Sequence, residues 1–365
     1  MNKGNIVSIY FALGTAGLAL ASVSACGSSA SQTHDAHTAD AKNDAPQSCT
    51  IADTCPHGPN AEPLCANGTC SEQCVVGFVA SASGCVEHHR RIAAAWSNAC
   101  AINASNALAC WGEPGFSPPP SGEFIEVAGG ASDFCAIRTN NDVVCWSSSA
   151  TEQSLVSPAG KFVHIAVPIN GLAACGILTS GELSCWTWPN RSLAESKLDG
   201  LPPGPFRALG MGKYGVAVKP DGTIARFGNF PVDDALPTQR LSKLFCHETH
   251  RAGTRTTCVG VTNAQQLEFF GGLSGTLTAT KNVVDAVLNT FDANGASQVC
   301  LTHTDDTIAC LPLANSGTPD PTVPAGEYRE LAAGRGFGCA IARTGAIRCW
   351  GDNALGQATP PPGAF

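Results

Sequence analysis

Nineteen cysteines dominate the side chains of this chain that can do chemistry. A thiol serves as a nucleophile, as a metal ligand or as half of a disulfide, and spacing and compartment decide among these roles. Metal-ligand types adjoin at Cys246-His247-Glu248-Thr249-His250. There, however, the two histidines lie three apart in an expected loop, which is not the His-Glu-x-x-His helix of a zinc site. His34 and His37 stand in a polar tract that would hold a metal poorly. No Gly-x-Ser-x-Gly elbow, phosphate-binding loop or paired-carboxylate motif is present, and the acids fall mostly in turns or at outward strand positions. Asn67, Asn103 and Asn190 fit glycosylation sequons by pattern alone. The residues therefore predict no catalytic group, no cofactor and no metal, and they leave disulfides as the main role of the thiols.

Disulfides persist outside the cytosol, so export is expected. Lys3 opens a short polar start, and Ile6 to Leu20 form an apolar run too short to span a bilayer comfortably. Val23-Ser24-Ala25-Cys26-Gly27 follows and looks like a bacterial lipobox, in which Cys26 carries a diacylglyceryl group and becomes the mature N-terminus. The alternative is an ordinary signal peptide with an incidental cysteine. Cysteine parity favours the lipobox: an odd total becomes even once Cys26 is set aside. Gly27 does not resemble an inner-membrane retention signal, which points to the outer membrane.

The expected organisation is a signal peptide over 1–25, a lipidated cysteine and tether over 26–48, a small module over 49–89 and a large domain over 90–365. The tether is Ser, Ala, Asp and His without apolar period, and as a flexible coil it would reach roughly 25 Å. The small module holds Cys49, Cys55, Cys65, Cys70, Cys74 and Cys85 among Gly, Pro and Asn, and reads as disulfide-stapled with its pairing open. Its spacing loosely resembles epidermal-growth-factor-like modules, and the lack of a Cys-x2-Cys pair argues against zinc.

The large domain carries an internal repeat. Cys100 and Cys110, Cys135 and Cys145, Cys175 and Cys185, Cys300 and Cys310, and Cys339 and Cys349 all lie ten positions apart. Trp111, Trp146, Trp186 and Trp350 follow the second cysteine, and Leu311 replaces tryptophan once. Two eroded copies start at Val216 and Cys258, giving seven starts at 100, 135, 175, 216, 258, 300 and 339. That period of roughly forty and that count predict an all-β fold, a seven-bladed β-propeller.

Within each copy, Asn106, Asn141, Gly181, Gly222, Ala264, Asp306 or Gly345 follows the midpoint, where a three-residue hairpin loop needs a left-handed residue. Counting outward places each cysteine pair directly opposite, at a position without ladder hydrogen bonds where side chains approach most closely. Cys246 and Cys258 remain as a leftover pair. Both faces of each hairpin are apolar, as a blade packed between two neighbours requires, and the tryptophans are expected between blades. A further strand recurs at Phe124-Ile-Glu-Val127, Phe162-Val-His-Ile165 and Tyr328-Arg-Glu-Leu331. The chain stops at Gly363-Ala364-Phe365, the opening of that element, and the first copy starts at Arg91-Ile92, its second half; one blade is expected to be shared by both termini. His88 and His89 beside Arg90 and Arg91 are expected to form a solvated hinge.

Cys349-Trp350-Gly351-Asp352-Asn353-Ala354-Leu355-Gly356-Gln357 resembles the regulator-of-chromosome-condensation repeat, and the resemblance extends over residues 90 to 365. It implies a seven-bladed propeller that binds proteins through loops on one face. Nucleotide exchange is not carried over, because nothing in the chain indicates a chromatin or small-GTPase setting. The net charge of -8, with no Lys/Arg run, excludes nucleic acid as a partner. Two functions follow as expectations: a lipid-anchored envelope scaffold whose partner is another protein, or an extracytoplasmic propeller lyase or hydrolase acting on an envelope polymer. Polar groups gathered at one mouth of the central channel would favour the second. The eroded copies between Pro205 and Leu311 are where specialised function or simple drift could lie.

Overall fold

In the computed structural model the described residues are the backbone of 61–66, 69–74, 78–81 and 84–87, and the chain from 89 to 365 except 116, 148–155, 169–172, 190–191, 197, 199, 229–235, 238, 250–254, 263, 272–274, 278–281, 291–296 and 313–322. They are all-β apart from one 3-10 turn at Leu193–Ser196. No helix among them is long and apolar enough to cross a membrane. Two hairpins, Ala61–Ala66 with Thr69–Cys74 and Phe78–Ser81 with Gly84–Glu87, precede the large domain.

Seven antiparallel sheets follow, six of three strands and one of four. Their middle strands are Asn98–Ile102, Asp133–Arg138, Ala173–Leu178, Gly215–Val218, Arg255–Thr262, Ser297–His303 and Phe337–Ala342, one for each repeat copy. The first strand of every sheet touches the first strand of the next, and that of the seventh touches that of the first, so the sheets are blades of a closed ring around an axis lined by first strands. This is a seven-bladed propeller.

The hairpin turns carry the expected left-handed residues, among them Asn106 (φ 61°), Asn141 (φ 67°), Gly222 (φ 83°) and Asp306 (φ 61°). Blade five differs from the sequence expectation. Its left-handed residue is Gln265 (φ 57°), not Ala264. Val261 faces Leu267 and Val259 faces Phe269, so the copy starts at Val259 rather than Cys258. Cys258 is one residue out of frame and points to the opposite sheet face from the other middle-strand cysteines, because strand neighbours alternate. It bonds Cys246 on the inner strand, with which it stands in register.

The other five disulfides, Cys100–Cys110, Cys135–Cys145, Cys175–Cys185, Cys300–Cys310 and Cys339–Cys349, join middle to outer strands with Cα separations of 4.0 to 4.1 Å. The backbone bond from Asn103 N–H to Ala107 C=O fixes the ladder phase and leaves Cys100 and Cys110 at a non-hydrogen-bonded position.

Each of these five disulfides is covered by the following blade. Trp146 packs on Cys100 and Cys110, Trp186 on Cys135 and Cys145, Phe227 on Cys175 and Cys185, Trp350 on Cys300 and Cys310, and Trp111 on Cys339 and Cys349. Blades four and five lack this staple, and their covers are Phe270 on Val216 and Leu311 on Val259 and Phe269. A large flat indole suits the flat surface of a hairpin disulfide; where the staple is missing, smaller residues fill the space. Loss of a cysteine pair and loss of the next tryptophan are thus one packing change.

Closure uses a bond repeated around the ring. The residue opening each inner strand donates its N–H to the carbonyl of the left-handed turn residue of the preceding blade: Phe124 to Asn106, Phe162 to Asn141, Phe206 to Gly181, Leu241 to Gly222, Val283 to Gln265 and Tyr328 to Asp306, at 2.7 to 3.0 Å. Phe365 donates to Gly345 at 2.8 Å, and Ala104 N–H to Ala364 C=O at 3.0 Å, as Thr139 does to Glu123. Ala364 and Phe365 thereby open the inner strand that Ile92–Ala94 continues, so the first and last segments of the ring together build blade one.

Replacing Cys100 and Cys110 together by serine should lower stability by about 2–3 kcal/mol, read as a shifted urea midpoint, with a change in Trp146 emission that the same change at Cys300 and Cys310 does not produce. Deleting Ala364 and Phe365 removes two backbone hydrogen bonds and an aromatic contact; a loss of about 2 kcal/mol is expected, measurable by thermal unfolding.

Candidate functional site

The inner strands impose a layered axis. Each inner strand carries a register shift just after its opening residue in blades two, three, five, six and seven, between Phe124 and Glu126 for example. The next residue faces the end of the middle strand, and around the ring this position is Arg91, Glu126, His164, Ala208, Lys243, Asp285 and Glu330. Six of the seven are ionisable. They form a polar collar at one mouth of the channel.

Two layers further in, opposite the consensus cysteine frame, stand Ala93, Ala128, Ala166, Gly210, Val287 and Ala332, with Phe245 in blade five. Small residues let seven strands converge. The channel narrows to a cavity of about 90 Å3 bounded by Arg90 and His164 at the collar end and His247 at the other.

Several collar groups are held by bonded partners. Glu126, 1% exposed, receives His164 Nδ1 at 2.8 Å and His89 Nδ1 at 3.1 Å, and its Oε1 accepts the Ile165 N–H at 2.8 Å. Burial alone would raise its pKa, but the charge and hydrogen bond of His164, with those of His89, reverse this and hold the carboxyl at about 2. Burial works against the charged form of His164 too, and Glu126 overcomes it, so the imidazole lies above its ordinary 6.5. His164 Nε2 also reaches Leu209 C=O at 3.4 Å.

Arg90 is the second centre. Its guanidinium donates to Asp285 Oδ1 at 2.9 Å and to Leu331 C=O at 3.3 Å and lies 5.8 Å from the Phe245 ring centroid, while its own carbonyl accepts from Val127 N–H at 2.9 Å. One residue of blade one thus touches blades two, five, six and seven. Glu330 Oε2 accepts the Arg91 N–H at 2.6 Å, and burial pushes the Glu330 carboxyl up.

These findings correct two expectations. His89, Arg90 and Arg91 are not a solvated hinge: they are partly buried and bonded into the collar and the seam. Nor are the acids confined to turns and outward positions, since Glu126 and Asp285 are buried, and Glu330 partly buried, on inner strands. The pattern was visible in the sequence as a polar residue two places after three of the strand-opening aromatics, in Phe124-Ile-Glu126, Phe162-Val-His164 and Tyr328-Arg-Glu330, though not after Phe206.

Trp111, Trp146, Trp186 and Trp350 are buried between blades. Cys26, Cys49 and Cys55 lie outside the described residues, as do the side chains of Cys65, Cys70, Cys74 and Cys85. No group of three or more metal-ligating side chains occurs among the described residues, and His250 is not one of them.

Residues 328–357, which run from the last inner strand to Gln357, match the regulator of chromosome condensation (RCC1) repeat. That last copy is of the RCC1 type. The ring as a whole is similar to the CRINKLY WD40 ectodomain of the Arabidopsis thaliana receptor kinase ACR4, at 17% identity and a TM-score of 0.55, over 75% of this chain and 98% of that one. It is also similar to the ectodomain of the Physcomitrella patens receptor kinase CR4, at 16% identity and a TM-score of 0.55, over 72% and 73% of the two chains. At these identities the likeness shows the fold alone. No curated protein sequence gives a significant match.

The collar predicts a defined pH profile. His164 is raised, so its contribution is complete below 6.5 and is lost as pH rises through its folded value; Glu126 is depressed, so its contribution is complete above 4.5 and is lost as pH falls toward 2. The contribution of the Glu126–His164 pair should plateau between those limits and decline on both sides. Glu126→Gln should flatten both flanks, and Glu126→Ala should cost about 3 kcal/mol near neutrality, both measurable by urea unfolding across pH.

Proposed function

We propose that this chain is an envelope-anchored lipoprotein whose propeller is a protein-binding scaffold. Cys26 carries the lipid, residues 27–48 form the tether, residues 49–89 form the disulfide-rich module, and residues 90–365 form the ring, displayed outside the cytoplasm and anchored in the outer membrane. Six disulfides in the propeller support an oxidising compartment, where such bonds persist. The two similar folds are ectodomains of receptor kinases, which suits an extracytoplasmic ring.

The collar bears on the choice between scaffold and enzyme. Its gathering at one mouth is the observation that favours the second reading, a lyase or hydrolase. Its state favours the first. A carboxylate held at about 2 is a weak base near neutrality, and Glu126 is enclosed by His89, His164 and the Ile165 amide. Arg90 and Asp285 likewise hold each other. The collar ties blades together, and recognition falls to the loops of a rigid ring.

Feeding cells radioactive fatty acid should label the wild-type chain and leave Cys26→Ser unlabelled; equal labelling would remove the anchor. Cross-linking in intact envelopes should then recover a specific protein with the ring. Turnover of an envelope polymer that is lost in Glu126→Gln, with no protein recovered, would instead establish the enzyme.

A further inference from the structure

We infer that the channel mouth opposite the collar is a docking surface for an acidic protein segment, anchored by Trp96 and Arg335; the inference rests on the scaffold reading above. The two mouths differ in what they must do. His89 and Arg90, the first described residues of the ring, are bonded into the collar at one mouth. At the other mouth the inner strands turn into middle strands.

Blade one turns there at Ala95–Ser97 and blade seven at Gly334–Gly336, between strands ending at Ala94 and Ala333 and strands beginning at Asn98 and Phe337. Trp96 is 37% exposed, in contrast to the four repeat tryptophans buried between blades. Arg335 lies 5.8 Å from its ring centroid. Among the described residues no carboxylate pairs with Arg335, whereas Arg90 is held by Asp285, Arg240 by Asp221 and Arg343 by Asp306.

The pair is fixed in place. Trp96 N–H donates to Ala131 C=O at 3.2 Å and Arg335 N–H to Trp96 C=O at 3.3 Å, which ties the loops of blades seven, one and two into one rim. Gly334 lies so close to the Ala95 carbonyl, and Gly130 so close to the Pro168 carbonyl, that a Cβ at either would collide with backbone. A rigid rim binds without the cost of ordering its loops. Tryptophan and arginine are the residue types that most often carry interface affinity. A guanidinium stacked on an indole keeps its N–H edge for a carboxylate, which the partner supplies beside an apolar side chain that covers Trp96.

The test selects a random-peptide phage library on the full chain. Selected peptides are resynthesised with Asp and Glu replaced by Asn and Gln, and binding is measured by fluorescence polarisation on wild type, Trp96→Ala, Arg335→Gln and Arg335→Lys. Acid-bearing peptides should be selected. The amide versions, Arg335→Gln and Trp96→Ala should each weaken binding roughly tenfold or more, and Arg335→Lys should recover part of the loss. Both side chains are solvent-facing, so unfolding midpoints should stay near wild type; if Trp96→Ala shifts its midpoint, Arg335→Gln and Arg335→Lys carry the test. Peptides without acids, or peptides that bind the variants as they bind wild type, overturn this surface and leave the scaffold reading standing. Neutral oligosaccharide bound through Trp96 but indifferent to Arg335→Gln overturns it as well. Failure to select any peptide, with no envelope protein captured, overturns both.

Discussion

A blade with two apolar faces cannot be an end. Cys100, Ile102 and Leu108 cover one face of the first hairpin and Ala99, Ala101 and Trp111 the other, so each face needs a neighbour. Stacking blades in a line would leave two such faces in water, and only a ring satisfies all seven. Closure is therefore the constraint on which the rest depends. The ring meets it by splitting one inner strand between its first and last segments, with Ala364 and Phe365 reproducing the backbone bonds that Glu123 and Phe124 make inside the chain.

The same constraint explains how the repeats vary. A cysteine pair in one blade forms the floor on which the next blade sets its large side chain, so the two positions change together across a blade boundary. Blades four and five hold Val216 opposite Arg226 and Val259 opposite Phe269, and their neighbours present Phe270 and Leu311 in place of tryptophan. Blade five recovers a staple elsewhere, between Cys246 and Cys258, on the other face of its sheet. The divergence between Pro205 and Leu311 is thus coherent as packing.

At the axis, seven strands converge and side-chain space runs out. Small residues occupy the layer opposite the cysteine frame, and the ionisable layer sits at the mouth where solvent is near. Burying charge is tolerable only when each ion has a partner of opposite sign and good hydrogen bonds. Glu126 between two histidines, and Arg90 against Asp285, satisfy this. Because Arg90 and Arg91 also belong to the split strand, the ionic layer and the closing seam are one device.

The sequence by itself determined the class of fold, the number of blades, the hairpin turns and the places where cysteines face each other, because these follow from short-range periodicity: ten residues from cysteine to cysteine, a left-handed residue after the midpoint, and alternation along strands. It also placed the first and last segments of the ring in one blade, since Phe365 and Arg91 are halves of a recurring element. It misplaced blade five by one residue, because Cys258 carries the type of a consensus cysteine while Val259 occupies its position, and only strand register separates the two. The collar was written in Glu126, His164, Asp285 and Glu330, yet its meaning was not, because those residues lie far apart in the chain and acquire partners only when seven inner strands meet. Which ions neutralise which, that His89 is held and not solvated, and that Trp96 and Arg335 come together were decided by tertiary structure alone, since each depends on distances across blade boundaries that no local pattern encodes.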